Sequence, residues 1–173
     1  MPITFPPDLM VSVSGFRGRV GAPLTPELVT SLAAGFGSFL RARGAGDRVL
    51  LGRDSRTSGL MLVRSATAGL QSVGCHVVDL GMVPTPTLLL AVEEAGAAGG
   101  IGITASHNPG EWNALKFASG EGLFLDGEIM AAFQRLLQEV DPPRAAWDAI
   151  GAVHSDSGAV DRHLDRILTL PVL

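Results

Sequence analysis

GIGITASHNPGEWNALKF, residues 100–117, opens as a buried strand and ends as something else. Ile101 and Ile103 alternate with glycines in an apolar run, which is how a short core strand reads. The run stops at Thr104-Ala105-Ser106-His107-Asn108-Pro109, where a hydroxyl, an imidazole and an amide precede a proline. A second apolar stretch, Leu115 to Ala118, then resumes. A strand that delivers a polar loop and returns belongs to a sheet whose working end carries loops.

Outward from that stretch, helical and strand patterns alternate. Thr25-Pro26-Glu27 reads as a helix start, with Thr as N-cap, Pro in the first turn and an early acid. Leu28, Leu32, Phe36 and Leu40 follow on one face, and Arg41-Ala42-Arg43-Gly44 closes the helix. Val49–Leu51 is a short strand. Ser58 is expected to cap a second helix bearing Leu62, Ala66 and Leu70, ended by Gly74. His76 to Leu80 is the next strand, and Thr85-Pro86 opens a third helix through Glu94. After Leu115–Ala118 comes a partner strand, Gly122–Leu125, and Asp126 caps a helix to about Val140.

This alternation predicts a layered α/β/α domain with a mixed, mostly parallel sheet over residues 1–140. Ligands should then sit beyond the carboxyl ends of the strands, where Arg53-Asp54-Ser55-Arg56 and Ser106 both fall. Asp141-Pro142-Pro143-Arg144 breaks the last helix. Residues 141–173 read as a linker and the truncated start of a second domain, with a helix over 158–170. The apolar ending, Leu170-Pro171-Val172-Leu173, suggests the first piece of a longer protein.

Bulk properties narrow the function. The chain has 173 residues, enough for a real core, and 46% of them are hydrophobic, which argues against disorder. No apolar run approaches the roughly 18 to 20 residues of a membrane span, and no secretory signal opens the chain. A net charge of −4 argues against a general nucleic-acid surface but permits a local phosphate pocket. The single Cys75 excludes an internal disulfide, fits a cytoplasmic setting, and reads as a small buried hydrophobe.

Ser106 is a weak nucleophile unless activated, and no G-x-S-x-G elbow surrounds it, so a hydrolase triad is a poor fit. A serine that carries a phosphoryl group fits better, with His107, Asn108, backbone amides and Lys116 at hand. The rival is a plain turn of Ser, Asn, Pro and Gly. A dinucleotide fingerprint, Gly100-Ile101-Gly102-Ile103-Thr104-Ala105, is present only on paper, because its glycines lie inside a strand rather than at a helix start.

Thr104-Ala105-Ser106-His107-Asn108-Pro109 resembles the phosphoserine signature of the α-D-phosphohexomutases, the family of phosphoglucomutase, phosphomannomutase and phosphoglucosamine mutase. Three further segments agree in the family's order. Val13-Ser14-Gly15-Phe16-Arg17-Gly18 resembles its N-terminal T-S-G-x-R-G loop. Leu51-Gly52-Arg53-Asp54-Ser55-Arg56 and Gly81-Met82-Val83-Pro84-Thr85-Pro86 are similar to its G-R-D-x-R and G-x-x-P-T-P segments. The resemblance implies a serine, Ser106, that passes its phosphoryl group to a hexose monophosphate through a hexose 1,6-bisphosphate. It implies His107 in proton transfer or orientation, Arg17 and Lys116 as cations at the transferring group, and Mg²⁺ on the serine phosphate. Arg53, Asp54 and Arg56 are expected to support the serine loop rather than act on substrate.

Departures accompany the resemblance. Ala114 replaces a glycine in the family's N-G-x-K, and Val11-Ser12-Val13 stands where many members have Phe-Gly-Thr. The family's D-G-D-x-D-R metal loop is absent; Asp126-Gly127-Glu128 lacks the third carboxylate, and Asp161 and Asp165 read as a solvated helix face. This polypeptide alone is therefore expected to be inactive, depending on the remaining domains of the same chain. Ser14 before Gly15 leans toward glucose and mannose phosphates over glucosamine phosphate; a non-catalytic phosphosugar-binding domain is the other class open.

Overall fold

The computed structural model describes residues 2–171. Its elements run β1 (Met10–Ser12), β2 (Gly15–Arg19), α1 (Pro26–Ala42), β3 (Arg48–Arg53), α2 (Gly59–Gln71), β4 (His76–Met82), α3 (Thr85–Glu94), β5 (Gly99–Ile103), β6 (Trp112–Ser119), α4 (Gly127–Glu139), β7 (Val153–Ser155) and α5 (Ala159–Leu168). One seven-stranded sheet has the order β1-β2-β6-β5-β3-β4-β7. β5, β3, β4 and β7 pair in parallel; β6, β2 and β1 join antiparallel to their neighbours. β2 therefore runs with the parallel group, and the sheet is mixed and mostly parallel, as expected.

Strand alternation sends side chains to two cores. Val49 and Leu51 of β3 join Ile101, Ile103, Leu115 and Phe117 under α1, α2 and α4. Leu50 points the other way, into a smaller cluster with Leu80, Leu88, Val92 and Ala159 under α3 and α5. The larger core holds a set of phenylalanines meeting at an angle: Phe117 and Phe133 have centroids 5.0 Å apart at 68°, and Phe16 and Phe117 5.8 Å apart at 86°. Such tilted pairs add to the burial of their area.

Caps fix two of the helices as expected. Thr25 accepts from the Leu28 amide, and Asp126 accepts from the Ile129 amide. Ser58 does not cap α2. Its backbone is already helical, and its hydroxyl is taken by Asn113. The expected strand at 122–125 is a single bridge, Ala118 to Phe124. β1 and β2 stand where the sequence reading had only a loop. Ala114, which stands where the family's motif has glycine, lies in regular strand β6, buried at 2% exposure and paired with Arg17, without positive φ.

Residues 145–168 pack against this same sheet and its helices. The Ala145 amide donates to the Ser72 carbonyl (2.8 Å), and Gln71 Nε2 to the Gly151 carbonyl (2.7 Å). β7 then extends the sheet beside β4, and α5 packs on α3 through Ala159 and a 2.8 Å contact between Thr87 Oγ1 and His163 Nδ1. Asp161 and Asp165 are exposed on α5, and Cys75 is fully buried. No helix among the described residues is long and apolar enough to cross a membrane.

Candidate active site at the carboxyl ends of β3 and β5

β3 and β5 are parallel neighbours, with Arg53 opposite Ile103. Their carboxyl ends therefore release two loops side by side, and the Asp54 amide donates to the Ile103 carbonyl across the gap (3.1 Å). Beside them lies a cavity of about 210 Å³ lined by Arg53, Asp54, Pro84, Thr85, Gly102 and Thr104, among others.

Ser106 is exposed and has φ +57°, the only positive φ outside glycine among the described residues. The Asn108 amide donates to the Ala105 carbonyl (3.1 Å), closing a turn with Ser106 at its second position. Positive φ there is the place where glycine is preferred in a primed turn. An L-residue held in that region costs about 1–2 kcal/mol, and such strain gathers at functional sites. Thr104 Oγ1 accepts from the Ser106 amide (3.2 Å), and Ser106 Oγ stands 3.4 Å from His107 Nδ1.

Arg17 reaches the loop from β2. Its Nη1 donates to Asn108 Oδ1 at 2.9 Å. Gly15 makes that approach possible: at φ +117° it brings β2 so close to β6 that an added Cβ would fall 1.9 Å from the Leu115 carbonyl oxygen. Lys116 is on β6 opposite Gly102, on the same sheet face as Arg17, since Phe16, Leu115 and Phe117 fill the opposite face. Its ammonium lies 5.4 Å from the centre of the Phe124 ring, and no hydrogen bond or ion pair links it to the serine loop among the described residues. It is the only lysine among 13 basic residues.

The loop's support comes from Asp54 and Arg56. Arg56 donates to the carbonyls of Ser106, Asn108, Pro109 and Trp112, and pairs with Asp54 at 3.1 Å. From the other side, buried Asn113 donates to Ser58 Oγ (2.9 Å) and accepts from the Ala114 amide (2.8 Å). This tie between β6 and the start of α2 has no local sequence signal, because its partners are 55 residues apart. The glycines of the G-x-G-x-x-A stretch lie within buried β5, with a turn and not a helix after it, so the dinucleotide reading fails.

No group of three or more His, Cys, Asp or Glu side chains that could hold a metal occurs among the described residues.

Comparison with known proteins agrees with the geometry. The sequence model of the family described as phosphoglucomutase/phosphomannomutase, alpha/beta/alpha domain I, matches residues 9–144. A phosphoglucosamine mutase from Synechococcus sp. (strain WH7803) is 36% identical over 170 residues, covering 97% of this chain and 36% of its own. A phosphoglucomutase/phosphomannomutase from Thermococcus kodakarensis is 39% identical over 144 residues, covering 82% and 31%. The crystal structure of a phosphoglucomutase/phosphomannomutase family protein from Burkholderia thailandensis superposes with a TM-score of 0.75 at 29% identity, over 92% of this chain and 36% of that one. The chain thus spans about a third of the length of the relatives it matches. With the family's domain I matched from residue 9 to 144, this chain belongs to the phosphoglucomutase/phosphomannomutase family.

Proposed function

We propose that this chain is the phosphoserine-bearing domain of a phosphohexomutase. In the complete enzyme, Ser106 exchanges a phosphoryl group with a hexose monophosphate. A sugar hydroxyl attacks the phosphorus of phosphoserine 106, a new sugar O–P bond forms, and the P–Oγ bond breaks. The hydroxyl's proton ends on the freed serine Oγ, with His107 the nearest imidazole to relay it. The hexose bisphosphate turns over and returns its other phosphate to Ser106, so that phosphate has moved between the sugar's 1- and 6-positions. Arg17, held at the loop by Asn108, and Lys116 supply fixed positive charge to the transferring group.

The observation that carries this reading is Ser106 itself: an exposed hydroxyl held at φ +57° within the serine motif, at the carboxyl end of a parallel strand. Mg²⁺, when bound to the serine phosphate, would neutralise charge there. Its carboxylates are assigned to the domains that make up the rest of the relatives' length, and this chain alone is expected not to turn over. The relatives' names include both phosphoglucosamine mutase and phosphoglucomutase/phosphomannomutase, so the substrate class is a hexose phosphate, with glucose, mannose and glucosamine phosphates to be compared. We assign it to the cytoplasm, in keeping with its buried, unpaired Cys75.

The test is mass spectrometry of the complete enzyme after incubation with glucose 1,6-bisphosphate. Phosphate should appear on Ser106 and vanish in Ser106→Ala, together with turnover. A serine that never carries phosphate would leave only a phosphosugar-binding domain.

A further inference from the structure

Arg56 stands beside the serine loop with nothing left to offer a ligand. A guanidinium has five N–H donors. Nε goes to Asp54 Oδ2 (3.1 Å), Nη1 to the Pro109 and Trp112 carbonyls (2.7 and 3.1 Å), and Nη2 to the Ser106 and Asn108 carbonyls (3.0 and 2.7 Å). All five are in use. The side chain is also withdrawn, at 12% exposure, and Asp54 is tied back by accepting from the Arg56 amide (3.0 Å).

The four carbonyls span the loop. Ser106 and Asn108 lie in the strained turn, Pro109 follows it, and Trp112 begins β6. One planar group therefore joins both strands of the loop to the end of β3. On the amino side of Ser106, Thr104 Oγ1 holds its amide. On the carboxyl side, Arg56 holds its carbonyl. For Ser106 to relax to negative φ, the loop must rotate about these anchors and give up bonds to the guanidinium.

We propose that Arg56, oriented by Asp54, is a positioning residue that keeps Ser106 in its left-handed conformation and its hydroxyl directed out of the sheet end. It touches neither substrate nor the transferring phosphoryl group. Its effect is on the alignment of the serine oxygen, where a displacement of about 1 Å can cost on the order of 10²-fold in rate. The catalytic half of this inference rests on the phosphoserine reading; the conformational half does not. Lysine cannot replace Arg56, because an ammonium has three donors at one point and cannot reach four carbonyls in a fork.

The experiment has two readings on Arg56→Lys. In this chain, the φ of Ser106 is measured by NMR couplings; it should be positive in the wild type and shift to negative or averaged values in R56K. In the complete enzyme, kcat should fall by on the order of 10²-fold while KM stays within about threefold, since no substrate contact is lost. A folded R56K that keeps Ser106 at positive φ overturns the proposal, as does a rise in KM at unchanged kcat. If R56K does not fold, Asp54→Asn carries the same two readings, retaining the guanidinium but loosening its orientation; a smaller change in the same direction is expected, and none refutes. If the wild-type enzyme carries no phosphate on Ser106, the functional reading fails, while the φ comparison still decides the clamp.

Discussion

Arg17 and Asn108 are 91 residues apart in sequence and joined side chain to side chain at 2.9 Å. The bond fixes a cation from β2 beside the loop that presents Ser106. Removing it takes away both a charge and an anchor of the turn. We expect Arg17→Ala to lower turnover of the complete enzyme by about 10²–10³-fold, the range for losing one fixed donor at a charged transition state. Its melting temperature should hardly move, because Arg17 belongs to neither core cluster. Wild-type rates in R17A would remove Arg17 from the site.

Asn113 is a buried amide that serves two elements. It is 0% exposed, donating to Ser58 Oγ and accepting from the Ala114 amide. Asn113→Ala strands the buried Ala114 amide, a loss of about 1–3 kcal/mol for a group left without a partner, and takes the donor from the half-buried Ser58 hydroxyl. Urea unfolding of this chain should show a midpoint lowered by an amount equivalent to about 2 kcal/mol or more. A loss below half of that would mean water or a local shift replaces both bonds.

That same bond explains where sequence reasoning reached its limit. Ser58 had the composition of an N-cap and precedes a real helix, yet its oxygen is committed to a residue 55 positions away. Local rules cannot see such a partner. β2 was missed for a related reason: in Gly15-Phe16-Arg17-Gly18-Arg19 only Phe16 carries a large buried side chain, so no period of two is visible. β7 is three exposed residues that extend a sheet already formed. By contrast, α1 announced itself through Thr25, Pro26 and a long apolar face, and β5 through an apolar run cut off at Thr104. The serine loop was readable as a motif. Its φ of +57° and the guanidinium that spans it are properties of the folded chain alone.

Lys116 offers a probe that few proteins allow. As the only lysine, it is the one side chain that reductive methylation with ¹³C-formaldehyde will label, beside the N-terminal amine. Its ammonium lies 5.4 Å from the Phe124 ring centre, a cation–π distance, and the ring current should displace its methyl signals. Phe124→Leu should return them toward free-lysine values. In the complete enzyme, phosphorylating Ser106 should move the Lys116 signal again. A resonance indifferent to the phosphoserine would leave Lys116 an ordinary surface lysine held by Phe124.

Cys75 should give the fold a decline in stability at alkaline pH. Burial pushes its thiol up from 9.0 to about 11; Arg41 works against that shift and Asp47 adds to it. The native state thus keeps its proton in a range where the unfolded chain has released it. A raised native pKa leaves stability intact below the unfolded value and removes it as pH climbs from there through about 11. The whole loss should be about 3 kcal/mol. The chain has no tyrosine and one lysine, so few other groups titrate in that window. Urea midpoints measured from pH 8 to 11 should fall in the wild type and stay nearly level in Cys75→Ala, which starts lower because of the cavity it leaves. An equally steep decline in both proteins would assign the alkaline loss to other groups.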